Sequence, residues 1–122
     1  MDSQDHGHPA AEVVVTAADC SRQDALAVLG LLEQSFPGAE ADRAASGGHA
    51  VTVWSTTLDA AQDAQRGRPP ARLEGSAGVT LQGSPRAVDR VHAVLAEHFT
   101  VDDVAAVSGD QEKEIGLRIR SA

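Results

Sequence analysis

The run Asp19-Cys20-Ser21-Arg22-Gln23 brings a carboxylate, a thiol, a hydroxyl and a guanidinium together just ahead of a helical stretch. A thiol in that place lies near the free N–H groups and positive end of a helix, which favour the thiolate needed by a nucleophile or a metal ligand. Nucleophilic catalysis also needs a base beside the thiol, and the run contains no histidine. A cysteine-built zinc site or an intrachain disulfide needs a second cysteine, and Cys20 is the only one. Cys20 therefore reads as a small turn residue.

The other candidates for chemistry dissolve in the same way. His6 and His8 fall in a polar start, His49 begins a strand, and His92 and His98 lie on different sides of one helix instead of at the spacing of a chelate. Gly75-Ser76-Ala77-Gly78 and Gly83-Ser84-Pro85 match neither phosphate-loop pattern and no lysine follows, so turn and cap chemistry accounts for them. Asp102-Asp103 and Glu112 with Glu114 read as solvated acids, since paired carboxylates do acid–base work only when buried together. No catalytic residue, cofactor or metal is expected, and the chain reads as non-enzymatic.

Charge removes further classes. Ten basic and 18 acidic side chains give a net charge of −8, with both halves of the chain acidic. A phosphate-binding surface should be basic, so no nucleic acid and no anionic membrane is expected as a partner. The longest apolar run, residues 25–32, is far short of the roughly 20 residues of a membrane span. The first residues show neither the positive start nor the apolar stretch of a secretion signal. The expectation is a soluble cytoplasmic protein, and nine arginines among ten basic residues suggest a bacterial high-GC coding sequence.

The elements that must position these residues show an internal echo. A strand at residues 12–17 leads into a helix from Ser21 to Phe36, and a strand at 79–82 leads into a helix from Ser84 to Phe99, with the same serine-to-phenylalanine spacing. Ala25, Val28, Leu29, Leu32 and Phe36 mark one buried helical face, and Val88, Val91, Leu95 and Phe99 mark the other. Ser21 and Ser84 are placed as N-caps, with Pro85 in the first helical position. Residues 1–10 read as a disordered tail, and 11–121 as one α+β domain with a flexible loop at 58–77. A loose stretch at 38–48 precedes a strand at 50–56. The end is a hairpin of 101–107 and 112–120, in which Ile115, Leu117 and Ile119 alternate with Glu114, Arg118 and Arg120.

The order β-α-β-β-α-β with an extra C-terminal strand resembles the ferredoxin-like architecture, an antiparallel sheet with two helices on one face and the other face open. That resemblance implies an open face carrying Thr52, Trp54, Thr56, Arg118 and Arg120. RNA-binding sheets of this topology carry aromatics on the central strands, where this chain has Val14, Thr16, Thr80 and Gln82. Metal-carrying domains of this kind place Cys-x-x-Cys in the first turn, and this chain lacks the second thiol. The expected function is that of a small accessory protein that binds itself as a homo-oligomer, or a larger protein, through the open sheet face or an edge strand. Trp54, Thr52, Thr56, Arg118 and Arg120 are its partner-binding candidates. One alternative resembles the ACT family of ligand-sensing modules, which implies Asp19, Cys20, Ser21 and Arg22 as ligand-binding candidates, although the glycine-containing turn of that family is absent. Another resembles the cofactor-free oxygenases and cyclases of ferredoxin-like fold, whose aromatic-lined cavity would have to be built from two Phe and one Trp.

Overall fold

The computed structural model describes residues 11–36, 40–46, 53–61 and 72–121. The expected tail at 1–10, residues 62–71 of the expected loop at 58–77, Thr52 and three of the five histidines, His6, His8 and His49, lie outside the described residues. Six strands and two helices follow in the order β1 (Glu12–Ala18), α1 (Arg22–Ser35), β2 (Glu40–Ser46), β3 (Val53–Asp59), β4 (Ala77–Gly83), α2 (Pro85–His98), β5 (Phe99–Ser108) and β6 (Lys113–Ser121).

The α+β class holds, and the strand order does not follow the ferredoxin-like expectation. All neighbours are antiparallel, in the order β2-β3-β1-β4-β6-β5. In the expected arrangement the strand after the second helix would pair beside the first strand. Here β3 occupies that flank of β1, β4 keeps the other, and β5 lies at the far edge. The physical reason is that each helix is followed by its own hairpin, whose second strand returns beside the strand that began the unit. The echo in the sequence is thus a complete β-α-β-β unit used twice, as β1-α1-β2-β3 and β4-α2-β5-β6, joined along β1 and β4. The stretch expected to be loose contains β2.

Both helices form where the caps and spacing place them. Ser21 has extended backbone angles, and its hydroxyl accepts the N–H of Asp24 at 3.0 Å, satisfying one free donor of the first turn. Ser84 makes no side-chain cap bond, and Pro85 follows it where a missing N–H costs nothing. At the other ends, the N–H groups of Phe36 and Phe99 donate to the carbonyls of Leu32 and Leu95. Every apolar residue assigned to the two buried faces is buried.

One core lies between the helices and one face of the sheet, joining Val13, Val15 and Ala17 of β1, Val79 and Leu81 of β4, and Ile115, Leu117 and Ile119 of β6 to the helix stripes. Each large side chain so buried contributes about 1.5–3 kcal/mol of transfer free energy. The close approach of β4 to β1 at Gly83 leaves no room for a side chain, because a Cβ there would run into the Glu12 carbonyl. Two ties close the connection before β4. The buried Asp24 accepts the N–H groups of Glu74 and Gly75 on its two oxygens, at 2.9 and 3.0 Å, and Leu73 hydrogen-bonds Ser121. Among the described residues, no helix is long and apolar enough to cross a membrane.

Candidate functional site

The open face is built differently from expectation, because β3 has the opposite phase. Ala17 pairs with Trp54, Val15 with Thr56 and Val13 with Leu58. Since Val13, Val15 and Ala17 are core residues, Trp54 and Thr56 point toward the helices and are buried, correcting their assignment to the open face. Val53, Ser55 and Thr57 take the outer positions and are half-buried. The phase is decided by apolar area: Trp54 and Leu58 have more to bury than Val53. Continuing the alternation from Trp54 through Leu58 to Ala60 was the available signal, since all of these are buried.

Of the five partner-binding candidates, Arg118 and Arg120 remain on the open face. Each already faces a carboxylate of its own chain: Arg118 lies 3.7 Å from Asp19 and Arg120 donates to Asp102 at 3.1 Å. Between them and β3 the face is flat and small-residued. One row across five strands reads Ser55, Thr16, Thr80, Gly116 and Ala105.

The turn proposed for ligand binding is occupied by structural contacts. Ser21 spends its hydroxyl on the helix cap, and Asp19 holds a positive φ of 56°, a conformation that aspartate tolerates better than most residues. Arg22 is exposed. The Cys20 thiol is pushed above its usual pKa by burial first, then by the carboxylates of Asp24 and Asp19, against a smaller opposing effect of Arg118. The helix terminus does not produce a reactive thiolate here. Among the described residues, no group of three or more histidine, cysteine, aspartate or glutamate side chains could hold a metal ion.

The surface that stands out is at the other end of the sheet. From Asp102 to Ser108 every residue of β5 is exposed, whichever face of the sheet it belongs to. Val104 and Val107 are 69% and 70% exposed. β5 is also an edge strand, with β6 on one side and, among the described residues, no strand on the other. An irregularity in its pairing with β6 falls between Asp103 and Ala105. Beside this strand a cleft of about 400 Å³ opens between α2 and the hairpin, floored by Ile115 and Ala106. Two polar pairs span from α2 to the hairpin at its rim, His92 to Asp103 at 3.0 Å and Lys113 to Asp89 at 2.9 Å.

Sequence reasoning left His92 and Asp103 as separate solvated groups. Their meeting depends on β5 turning back along α2, and no spacing rule for a single helix or strand contains that contact. The exposed valines carried a weak signal, in that Val104-Ala105-Ala106-Val107 breaks the alternation of a strand with one face buried.

Comparison of the chain with protein-family models, with curated proteins and with solved structures finds no match in any of the three. The functional reading therefore rests on the residues themselves.

Proposed function

We propose that this chain is a small non-catalytic interaction protein and that the edge of β5 is its binding surface. The observation that carries the reading is the exposure of β5 from Asp102 to Ser108 together with its lack, among the described residues, of a second neighbouring strand. Unpaired N–H and C=O groups along an edge accept a further strand, and apolar side chains beside them add burial when one docks. Exposed edges carry a risk of aggregation and are usually covered, charged or broken by proline. The stretch from Val104 to Gly109 contains neither a charge nor a proline. The adjoining cleft gives a docked strand a helix to lie against, and the two polar pairs hold α2 in place over the hairpin.

This reading shifts the weight from the open face to the edge. Arg118 and Arg120 have carboxylates of their own, and Trp54 is in the core, so among the described residues the open face offers no aromatic anchor and only Val14 as an exposed large apolar side chain. The test is affinity purification of the tagged chain from its native host, as wild type and as Val107→Lys. The expected result is a protein retained by the wild type and lost with the variant, at unchanged melting temperature. Identical retention by both would remove β5 as the binding edge.

A further inference from the structure

We infer that the occupant of the β5 edge is an extended segment of a basic protein, with aliphatic side chains on one side, lysine or arginine on the other, and its basic end at the β5–β6 turn. The inference rests on β5 being the binding edge and names the chemistry of its partner. Successive side chains of a strand point to opposite faces of its sheet, so a strand added at β5 has one row on the helix side and one on the open side. The two rows meet different surroundings. On the helix side the added row passes over the cleft, which Ala106 floors together with the core residue Ile115 across from it. The charged groups at the rim of that cleft are already joined to each other, His92 to Asp103 and Lys113 to Asp89. An aliphatic side chain fits there, since a further charge would be desolvated without a partner.

On the open side the added row meets acid. Glu114 precedes the core residue Ile115 and so lies on the open side, with the exposed Val107 directly across the ladder from it. Two strand spacings, about 10 Å, separate Glu114 from an added strand. A lysine or arginine opposite Val107 lays its aliphatic stem over the valine and brings its charge to that carboxylate. The balance of charge changes along the edge. Near the start of β5, Asp102 receives Arg120, and Arg118 lies beside Asp19. At its end, Glu114 and the turn residues Asp110 and Glu112 are exposed, and among the described residues none of their side chains has an ion pair or hydrogen bond. These uncompensated carboxylates beside an apolar edge complement a cationic strand and set which of its ends is basic. A second copy of the chain would bring 18 acidic side chains against ten basic ones and add to the repulsion.

The contact is short. Beyond the irregularity between Asp103 and Ala105, the ladder is regular only from Ala105 to Ser108. Pairing over so few residues buries well under the roughly 1,600 Å² of a standard stable interface. Attraction between charges therefore carries much of the affinity, and salt weakens it.

Fluorescence anisotropy with the whole chain tests this against three short labelled peptides. One alternates valine and lysine, one alternates valine and glutamate, and the third is the lysine peptide with alternate backbone amides methylated, which keeps its charge and blocks strand pairing. The lysine peptide is expected to bind saturably and to weaken by about tenfold or more in high salt. The other two are expected not to bind. Glu114→Lys and Val107→Lys should each weaken the lysine peptide by about tenfold or more. Glu74→Lys, the same change of charge at the opposite end of β6, where Leu73 is tied to Ser121, should leave it within about twofold. All three variants should melt like the wild type, since each replaced side chain is exposed. Absence of binding by the lysine peptide overturns the inference. Equal binding by the methylated peptide, or equal loss in Glu74→Lys and Glu114→Lys, also overturns it, because the chain then attracts any polycation. A concentration-dependent dimer seen by light scattering and abolished by Val107→Lys makes the occupant a second copy and overturns the basic partner. If the lysine peptide fails while the Val107→Lys comparison in the host still separates a retained protein, the partner has another chemistry and the edge reading survives. If that comparison also shows no difference, both fail.

Discussion

Trp54 stands directly across from Ala17 in the β1–β3 ladder, with its indole on the helix side of the sheet and only 7% of the residue exposed. Trp54→Ala should therefore act on stability, with a cost of about 3–5 kcal/mol, the range for removing a large aromatic from a core. Urea unfolding followed by circular dichroism measures this. A cost below about 1 kcal/mol would return Trp54 to the surface.

Asp24 ties the first turn of α1 to the connection ahead of β4 through two backbone N–H groups. Asp24→Ala removes both acceptors and should cost about 2–4 kcal/mol, since hydrogen bonds to charged groups are among the stronger ones. Amide exchange at Glu74 and Gly75 should accelerate with it. Unchanged exchange at those two amides would show that the tie is not made in solution.

Two glycine substitutions should have opposite signs. Gly83→Ala drives a Cβ into the Glu12 carbonyl and should destabilise by about 1–3 kcal/mol. Gly30→Ala lies within α1 with open space around the added atom and should stabilise by about 0.5–1 kcal/mol. Thermal melts of the two variants side by side decide whether the β1–β4 approach is as close as described.

Cys20 provides a pH dependence. Its thiol is held protonated in the folded chain by burial and by Asp24 and Asp19, so its folded pKa lies above the unfolded value. The stability linked to this group is complete below the unfolded pKa. It is lost as pH rises toward the folded one, because the unfolded chain then releases a proton that the folded chain retains. Iodoacetamide should react with the native protein along a pH profile displaced to the alkaline side of the profile in urea, and Cys20→Ser should flatten the alkaline limb of stability. A native profile displaced to the acid side would contradict the assigned causes.

Neighbouring positions on β6 should separate burial from surface charge. Ile119→Asp places a carboxylate in the core and should cost about 3–5 kcal/mol, whereas Arg118→Ala removes an exposed pair and should cost under about 1 kcal/mol. Comparable losses in the two variants would mean that β6 does not present alternate faces to core and solvent.

The parts of the fold legible in the sequence are those written in local periodicity. The helix stripes ending in Phe36 and Phe99 and the alternation of Ile115, Leu117 and Ile119 need only the geometry of one element, and all of these residues are buried. Strand β2 was not legible because Glu40-Ala41-Asp42-Arg43-Ala44-Ala45-Ser46 is poor in the β-branched and aromatic residues of strands, and it forms by pairing with β3. The phase of β3 was missed at a boundary: with the strand read as 50–56, Leu58 lay outside the pattern that fixes which side Trp54 takes. Strand order lay further out of reach, since it depends on which ladders close and a β-α-β-β unit is compatible with more than one neighbour. At the candidate surface, the broken alternation of Val104 to Val107 is only a weak signal, and the exposure of β5 from Asp102 to Ser108 is seen in the structure.

The pairing of Thr16 with Thr80 lies in the β1–β4 ladder, where the units β1-α1-β2-β3 and β4-α2-β5-β6 meet. A cut in the connection between 61 and 72 would leave each fragment with one whole unit, one helix and one exposed central strand. The seam those fragments must rebuild is a single antiparallel ladder backed by shared core, the arrangement of two subunits that have been fused head to tail. The chain has in this sense the layout of two half-length units joined end to end, and mixing separately expressed halves asks whether that seam alone assembles them.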